Sequence, residues 1–151
     1  MGRYYNTSGG RDGKFMFAVQ SSDDPEYMGM HEEPPSTITY YADEHDTKKI
    51  KKKLDEQYDI LGVPKEDRIY YCKDEKSGTD FEDKVLHDRV FVTVKDGDER
   101  YKGKVGWYNG QKGYTDYEIP GRAICLARIR LALDILSDIK DNGYCSLDAE
   151  L

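Results

Sequence analysis

The chain opens with a glycine-rich stretch that has the residue types of a phosphate-binding loop. SGGRDGK, residues 8–14, places three glycines and two cations directly before an apolar run. A Walker A loop needs G-x-x-x-x-G-K-[ST] between a strand and a helix. That motif is excluded, because the glycines are one residue too close, Phe15 replaces the hydroxyl residue and a strand is expected to follow. What remains is a turn beside Arg3, Arg11 and Lys14, which is either an anion-binding nest or a plain surface turn.

Two further arginines lie in the C-terminal helix that the apolar spacing predicts over residues 122–141. Its apolar residues sweep an arc wider than one buried stripe requires. Arg128 falls inside this arc, where a guanidinium needs a carboxylate, carbonyls or an anionic ligand. A structural salt bridge and a ligand phosphate both remain open there. Arg122 lies in the first turn, where free N–H groups favour anions, so the two arginines predict an anion pocket.

A third candidate is RYKGKVGWYNGQKGY, residues 100–114, which combines four cations, four aromatic residues and four glycines. Aromatic faces beside cations suit a nucleotide or single-stranded nucleic acid, because every base has a stacking surface. Strand alternation separates Trp107 from Lys104 and Tyr108, so at most one face is such a platform. The equal alternative is a core tryptophan with lysines that protect a sheet edge.

Residues 21–46 are strongly acidic and contain no Lys or Arg. These acids could bind a divalent cation, but they lack EF-hand spacing, and a loop of this kind is usually solvated. The three cysteines lack a CxxC motif, and the only H-x-[ST] sequence starts at His45, which does not make a two-histidine phosphoesterase. The sequence therefore predicts no catalytic residue, no metal and no cofactor.

The elements that must position these residues follow from periodicity and turn signals. A helix is predicted from Asp46, its N-cap, to a stop at Gly62, with five lysines on its outer face. An apolar run over 14–20 predicts a central strand, and alternation predicts another over 37–42. Residues 68–72 fit a short strand or a helix.

From residue 90 onward the pattern is that of strands and tight turns. Asp-Gly at 96–97 and Asn-Gly at 109–110 predict a three-stranded antiparallel meander. A final strand is predicted over 144–151, after the C-terminal helix. We therefore expect one α+β domain over residues 1–151: a mainly antiparallel sheet of about five or six strands with two main helices, the C-terminal one packed on the sheet. The broad apolar helix predicts a homo-oligomer.

Charge and hydropathy exclude some classes of function. The 151 residues carry a formal charge of −7, which disfavours binding to duplex nucleic acid. There is no apolar run of about 18 residues and no signal-peptide core near the start, so no membrane partner is expected. The odd cysteine count fits a reducing compartment.

The chain also resembles a group of uncharacterised bacteriophage and large-virus accessory proteins. The resemblance rests on GRYY and GKFMFAVQSSDD near the start and on NGYCSLDAEL at the end. No established activity belongs to that group, so the resemblance implies only a viral accessory protein that acts in the host cytoplasm. If the first and last strands are neighbours, the matching segments meet in one sheet.

The leading hypothesis is a viral accessory protein that binds an anionic nucleotide-like ligand without catalysis. A cyclic nucleotide of host immune signalling is one such ligand, which the protein would sequester. The predicted ligand-binding residues are Arg3, Tyr4, Tyr5, Arg11, Lys14, Gln20, Ser22, Asp23, Lys104, Trp107, Tyr108, Arg122 and Arg128. One alternative is an interaction module that uses the acidic residues 21–46 against a host protein. The other is a metal-dependent phosphodiesterase.

Overall fold

The computed structural model describes residues 3–16, 20–21, 23–32 and 39–149. Its strands are β1 Arg3–Thr7, β2 Asp12–Phe15, β3 His31–Glu32, β4 Thr39–Asp43, β5 Phe91–Lys95, β6 Gly106–Trp107, β7 Tyr114–Glu118 and β8 Tyr144–Ala149. Its α-helices are α1 Asp24–Tyr27, α2 Thr47–Leu61, α3 Glu75–Phe81, α4 His87–Val90 and α5 Ala123–Asn142. The predicted α+β class with two long helices is confirmed, although the strands divide between two sheets.

The larger sheet has the order β2-β1-β8-β4-β3 in the described part of the chain. The last strand, β8, pairs antiparallel with β1 on one side and with β4 on the other. Alternation along β8 turns Cys145 and Leu147 into the core, where both are fully buried. The predicted final strand is therefore confirmed, and the first and last strands are neighbours.

The prediction of a central strand over residues 14–20 is wrong in extent and position. Among the described residues of that run, only Lys14 and Phe15 are in a strand, β2, and β2 is the outermost member of the described sheet instead of a central one. Residues 17–19 lie outside the described residues. The apolar character of the run is explained in part by Phe15, which is 1% exposed and packs its ring against Tyr5.

Helix α2 packs against α5 and ends as predicted. Ile50, Leu54 and Tyr58 are fully buried at helical spacing, and Gly62 ends the helix with a left-handed φ of 68°. Asp46 is the N-cap residue of α2, as predicted, but its side chain makes no capping bond to that helix, and a 3₁₀ turn over Glu44–Asp46 precedes it. Asp43 caps that turn, and the Asp46 carboxylate accepts the Asp43 N–H at 3.0 Å.

Helix α5 packs against α2 and β8, with further contacts to β1 and β4. Most of its residues are buried, and Gly143 ends it with a φ of 85°. The breadth of its apolar arc is accounted for by elements of the same chain. A second copy of the chain is thus no longer needed to cover this helix, and oligomerisation stays a prediction.

The smaller sheet corrects the predicted meander, because its order is β5-β7-β6. Asp96 does not open a two-residue hairpin; its N–H donates to the Gly113 carbonyl at 2.9 Å, which extends the pairing of β5 with β7. After residue 97 the chain does not return as a paired strand; it enters a 3₁₀ turn over Glu99–Tyr101, which Asp98 caps. Asn109-Gly110 does lie in the connection between β6 and β7, as predicted.

Residues 68–72 form neither of the two structures that the sequence left open. They run as an irregular segment over α2 and α5. Its polar backbone groups bond to side chains: the Tyr58 hydroxyl donates to the Ile69 carbonyl at 2.6 Å, and the Cys72 N–H donates to Ser137 Oγ at 2.9 Å. These bonds replace those of a strand or helix.

Among the described helices, none combines the length and the apolar character needed to cross a lipid bilayer.

Candidate functional site

A cleft of about 860 Å³ opens between the β1–β2 turn, α3 and α5. Small-molecule sites have volumes of roughly 300–1,000 Å³ and mostly apolar walls with a few polar groups. The apolar lining includes Phe81, Leu86, Ala127, Ile129 and Leu133. The polar lining includes Tyr5, Arg11, Lys14, Glu82, Arg130 and Asp134, with Asp12, Asp74, Glu75 and Asp141. The cleft is therefore large enough for a nucleotide, and it is rich in acids as well as cations.

The glycine-rich turn forms one wall of this cleft, and two of its glycines, Gly9 and Gly13, are required by packing. A Cβ at Gly9 would overlap the Asp138 carboxylate, and a Cβ at Gly13 would overlap the Tyr5 ring. Gly10 has a left-handed φ of 85°. The turn amides are already bonded, since Gly9 donates to Asp138 at 2.9 Å and Gly10 donates to the Thr7 carbonyl at 3.0 Å. The turn thus already holds an anionic group of the chain itself, the Asp138 carboxylate, and these two amides are not free for a ligand.

Arg11 joins the turn to the last helix. Its guanidinium pairs with Asp138 through Nη1 and with Asp141 through Nη2, the latter at 2.8 Å. The Asp138 side chain is fully buried, so Arg11 supplies the positive charge that a buried carboxylate requires. The main role of Arg11 is therefore structural, although its side chain still lines the cleft.

Tyr5 and Asp134 form a hydrogen-bonded pair inside the cleft. The Tyr5 hydroxyl donates to Asp134 Oδ2 at 2.6 Å. Burial, together with the nearby Asp138 charge, raises the pKa of Asp134 to about 6, although the Tyr5 hydrogen bond and the charge of Arg11 lower it. Within the described residues, no hydrogen bond reaches the other oxygen, Oδ1. Asp134 is thus a desolvated carboxyl that faces a cavity, which is a common mark of a binding site.

Two other cationic residues of the cleft are less fully paired with internal acids than Arg11 is. The Lys14 ammonium lies 5.7 Å from the centroid of the exposed Tyr4 ring, and it forms no salt bridge within the described part of the chain. Arg130 lies one helical turn before Asp134 and pairs with Glu82, yet about half of its side chain is exposed. Lys14 and Arg130 are therefore the groups that can meet an anion.

Arg128 forms the structural salt bridge that was one of its two alternatives. Its Nε and Nη2 donate to the Asp24 carboxylate at 3.1–3.2 Å, and the Asp24 side chain is 4% exposed. The guanidinium also stacks on Tyr27, 3.9 Å from the ring centroid. The pair borders an open depression of about 650 Å³, into which Lys49 and Lys53 also project. Arg128 is therefore held by an internal acid, away from the larger cleft.

The other predicted binding residues do not converge on one site. Arg122 donates to the Arg89 carbonyl at 2.8 Å. Asp23 lines the depression beside Arg128, whereas Gln20 is buried and accepts the Met16 N–H at 2.9 Å. Ser22 lies outside the described residues, and of Arg3 only the backbone is described.

The aromatic and cationic residues of 100–114 belong to the smaller sheet. Lys104 lies over the Tyr101 ring at 5.4 Å, and Tyr108 is 86% exposed. Trp107 is 39% exposed and meets Phe91 edge-on at 6.3 Å. None of these three predicted residues lines the cleft, so the structure does not combine them with the glycine-rich turn.

The acidic segment is partly neutralised by the chain itself. Asp24 pairs with Arg128, and Asp43 and Asp46 form the capping box of the 3₁₀ turn that precedes α2. Asp23 and Glu26 line the same depression as Lys49 and Lys53. Among the described residues, no group of three or more His, Cys, Asp or Glu side chains is placed to hold a metal ion. Much of the acidity thus has a structural explanation.

Sequence reasoning missed Asp134, Arg130 and Phe81 as cleft residues. A signal for the first was present, because Asp134 and Asp138 are four residues apart within an apolar helix. Acids in such an arc need partners for the same reason as Arg128 does. Tyr5 and Arg11, which were predicted for the site, are those partners.

In comparisons with known proteins, no family model matches this chain, and neither a curated protein nor a solved structure is significantly similar to it.

Proposed function

We propose that this chain binds a small nucleotide-like ligand with an anionic group in the cleft between the β1–β2 turn, α3 and α5. The observation that carries the proposal is the combination of three features in one cavity of suitable size. These are an apolar wall, a lining lysine, Lys14, that forms no salt bridge in the described residues, and a hydrogen-bonding carboxyl at Asp134. A nucleotide has the three complementary parts: an aromatic base, a phosphate and a hydrogen-bonding edge.

The acids around the cleft limit the charge of the ligand. Asp12, Asp74, Glu75 and Asp141 lie in the lining with Lys14 and Arg130. Like charges repel strongly where water is partly excluded, so a triphosphate would be disfavoured. A phosphodiester carries one negative charge, which suits the two available cations. The proposal therefore favours cyclic nucleotides.

Binding without turnover is supported by the chemistry of the lining residues. The thiol of Cys72 is the strongest potential nucleophile there, but burial raises its pKa to about 11, so it is a neutral thiol at pH 7. The Thr79 hydroxyl donates to the Glu75 carbonyl at 3.1 Å instead of to a base. As a viral accessory protein in the host cytoplasm, such a binder would sequester a host signalling nucleotide.

The proposal is tested by calorimetry and thermal denaturation with 3′,5′-cyclic mononucleotides and cyclic dinucleotides. A ligand at a hundred times its Kd should stabilise the protein by about 2.7 kcal/mol. Lys14→Ala should weaken binding about tenfold, because it removes the unpaired cation. The matched control is Lys104→Ala, which removes an exposed lysine from the other sheet and should leave binding unchanged. No stabilisation by any member of the panel would count against the proposal.

A further inference from the structure

The Tyr5–Asp134 pair presents an unusual pattern of hydrogen-bonding groups to the cleft. Tyr5 is 5% exposed, and its hydroxyl proton is committed to Asp134 Oδ2 at 2.6 Å. Burial and the neighbouring carboxylate raise the pKa of Tyr5 well above its ordinary value, so the phenol keeps that proton. What the pair still offers are lone pairs: those of the Tyr5 oxygen and of Asp134 Oδ1.

A ligand edge that fits two acceptors must carry two donors. The edge of adenine has one donor beside an acceptor, that of uracil has one donor between two acceptors, and that of cytosine has one donor beside two acceptors, so none has two adjacent donors. Guanine differs, because its N1–H and N2–H₂ groups are adjacent donors. A carboxylate that is removed from water gains most from such donors, since a charged acceptor makes the stronger hydrogen bond.

We propose that the Tyr5–Asp134 pair makes this cleft selective for guanine, so that the ligand is a guanine-containing cyclic nucleotide. This inference rests on the proposed function and deepens it. The phosphodiester would lie toward Lys14 and Arg130, which line the same cleft, and the base would lie against the apolar wall that includes Phe81. Arg130 is one helical turn before Asp134, so both ends of the ligand are served by one face of α5.

Calorimetry with cyclic GMP, cyclic IMP and cyclic AMP tests the inference. Cyclic IMP lacks only the N2 amino group and should bind about 10- to 50-fold more weakly than cyclic GMP. Cyclic AMP, which brings an acceptor to the carboxylate, should bind at least 100-fold more weakly. Equal affinity for all three would overturn the guanine inference while leaving the proposed function standing. Failure of all three to bind, with none of the cyclic dinucleotides binding either, would overturn both.

Variants of the pair sharpen the test. Asp134→Asn keeps the shape and removes the charge, and it should reduce the preference for cyclic GMP over cyclic IMP to less than threefold. Tyr5→Phe keeps the carboxylate and should retain most of that preference. If Asp134→Asn kept the full preference, the carboxyl would not be the selective group.

Wild-type protein supplies a readout that needs no variant. As pH falls through about 6, Asp134 takes up a proton and the preference for cyclic GMP should decline. The same preference at pH 5 and pH 8 would contradict the inference. The titratable and charged groups that act on this carboxyl or are acted on by it are Tyr5 from β1, Arg11 from the turn, Cys72 from the segment before α3, Arg130 and Asp138 from α5, and Cys145 from β8.

Discussion

Two glycine-rich, cationic stretches of this chain have similar compositions and opposite structural roles. Residues 8–14 are fastened to the rest of the molecule: Gly9 and Gly13 lie against Asp138 and Tyr5, and Arg11 pairs with two acids of α5. Residues 100–114 contain the edge strand β6 and the loops on either side of it, which project from the smaller sheet. A Cβ at Gly103, Gly110 or Gly113 would meet nothing within 4 Å, although each of these glycines has a left-handed φ.

This contrast separates two reasons for using glycine. In the first stretch Gly9 and Gly13 allow another group to approach the backbone closely, whereas in the second Gly103, Gly110 and Gly113 allow the chain to turn. Each stretch has one exception, since Gly10 has a left-handed φ and open space around it, and Gly106 lies close to Thr115. Cations divide in the same way, because Arg11 neutralises a buried carboxylate while Lys104 lies on an exposed tyrosine ring. Similar composition therefore does not imply a similar structural role, and the fastened stretch borders the cleft whereas Lys104, Trp107 and Tyr108 do not.

The largest expected effect comes from adding one methyl group at Gly13. Gly13→Ala would force the Tyr5 ring away from its hydrogen bond with Asp134, and it should cost about 3 kcal/mol of unfolding free energy. Gly110→Ala is the matched control, in which only the strained φ of 85° opposes the change, at about 1 kcal/mol. Urea denaturation of both variants measures the difference. Equal losses would mean that the Gly13 contact is unimportant.

The next largest effect is the difference in stability loss between removing Arg11 and removing Lys104. Arg11→Ala leaves the fully buried Asp138 without its ion-pair partner, and it should cost about 2–3 kcal/mol. This loss lies at or just below the lower end of the usual range of about 3–5 kcal/mol, because the Arg11 side chain is 22% exposed. Lys104→Ala should change stability by no more than about 0.5 kcal/mol. Thermal melts at matched pH compare the two, and a loss at Lys104 as large as that at Arg11 would contradict the contrast.

Titration of Asp134, whose partner Tyr5 lies against the glycine-rich turn, should have a smaller effect on the free energy of unfolding. Its pKa is raised on folding from 3.8 to about 6, so the native state binds more protons than the unfolded state between these values. Stability from this group is therefore fully present below pH 3.8 and is lost as pH rises through about 6. Asp134→Asn should remove roughly 2 kcal/mol of that decline. Urea midpoints measured from pH 4 to pH 8 check this, and an unchanged slope in the variant would refute it.

Local signals predicted much of the fold. Helix α5 and strand β8 lie where periodicity and Asn142-Gly143 placed them, because these signals are read within a few residues. Strand order was not predictable in the same way. The Asp-Gly dipeptide at 96–97 forms a turn but not a hairpin, since β5 pairs with β7 and not with β6, and that choice of partner depends on packing between distant residues.

The candidate site shows the same limit. Arg128 and Asp24 are 104 residues apart, and Tyr5 and Asp134 are 129 apart, so neither partner could be identified by spacing. Residue chemistry did predict that Arg128 needs a partner. It could not tell an internal carboxylate from a ligand, because both satisfy a guanidinium equally well.

The smallest effect concerns the only tryptophan of the chain, which reports on the projecting stretch. Trp107 lies on β6 and contacts Phe91 instead of the cleft, so saturation with cyclic GMP should leave its emission maximum and intensity within a few per cent. Iodide should quench Trp107 more strongly than caesium does, because the lysines of residues 100–114 attract anions, and Lys104→Ala should reduce that difference. Lys14→Ala, on the other sheet, should not. A shift in emission on ligand binding would show that the two stretches act on one ligand, in which case their separation into a fastened and a projecting region would not extend to function.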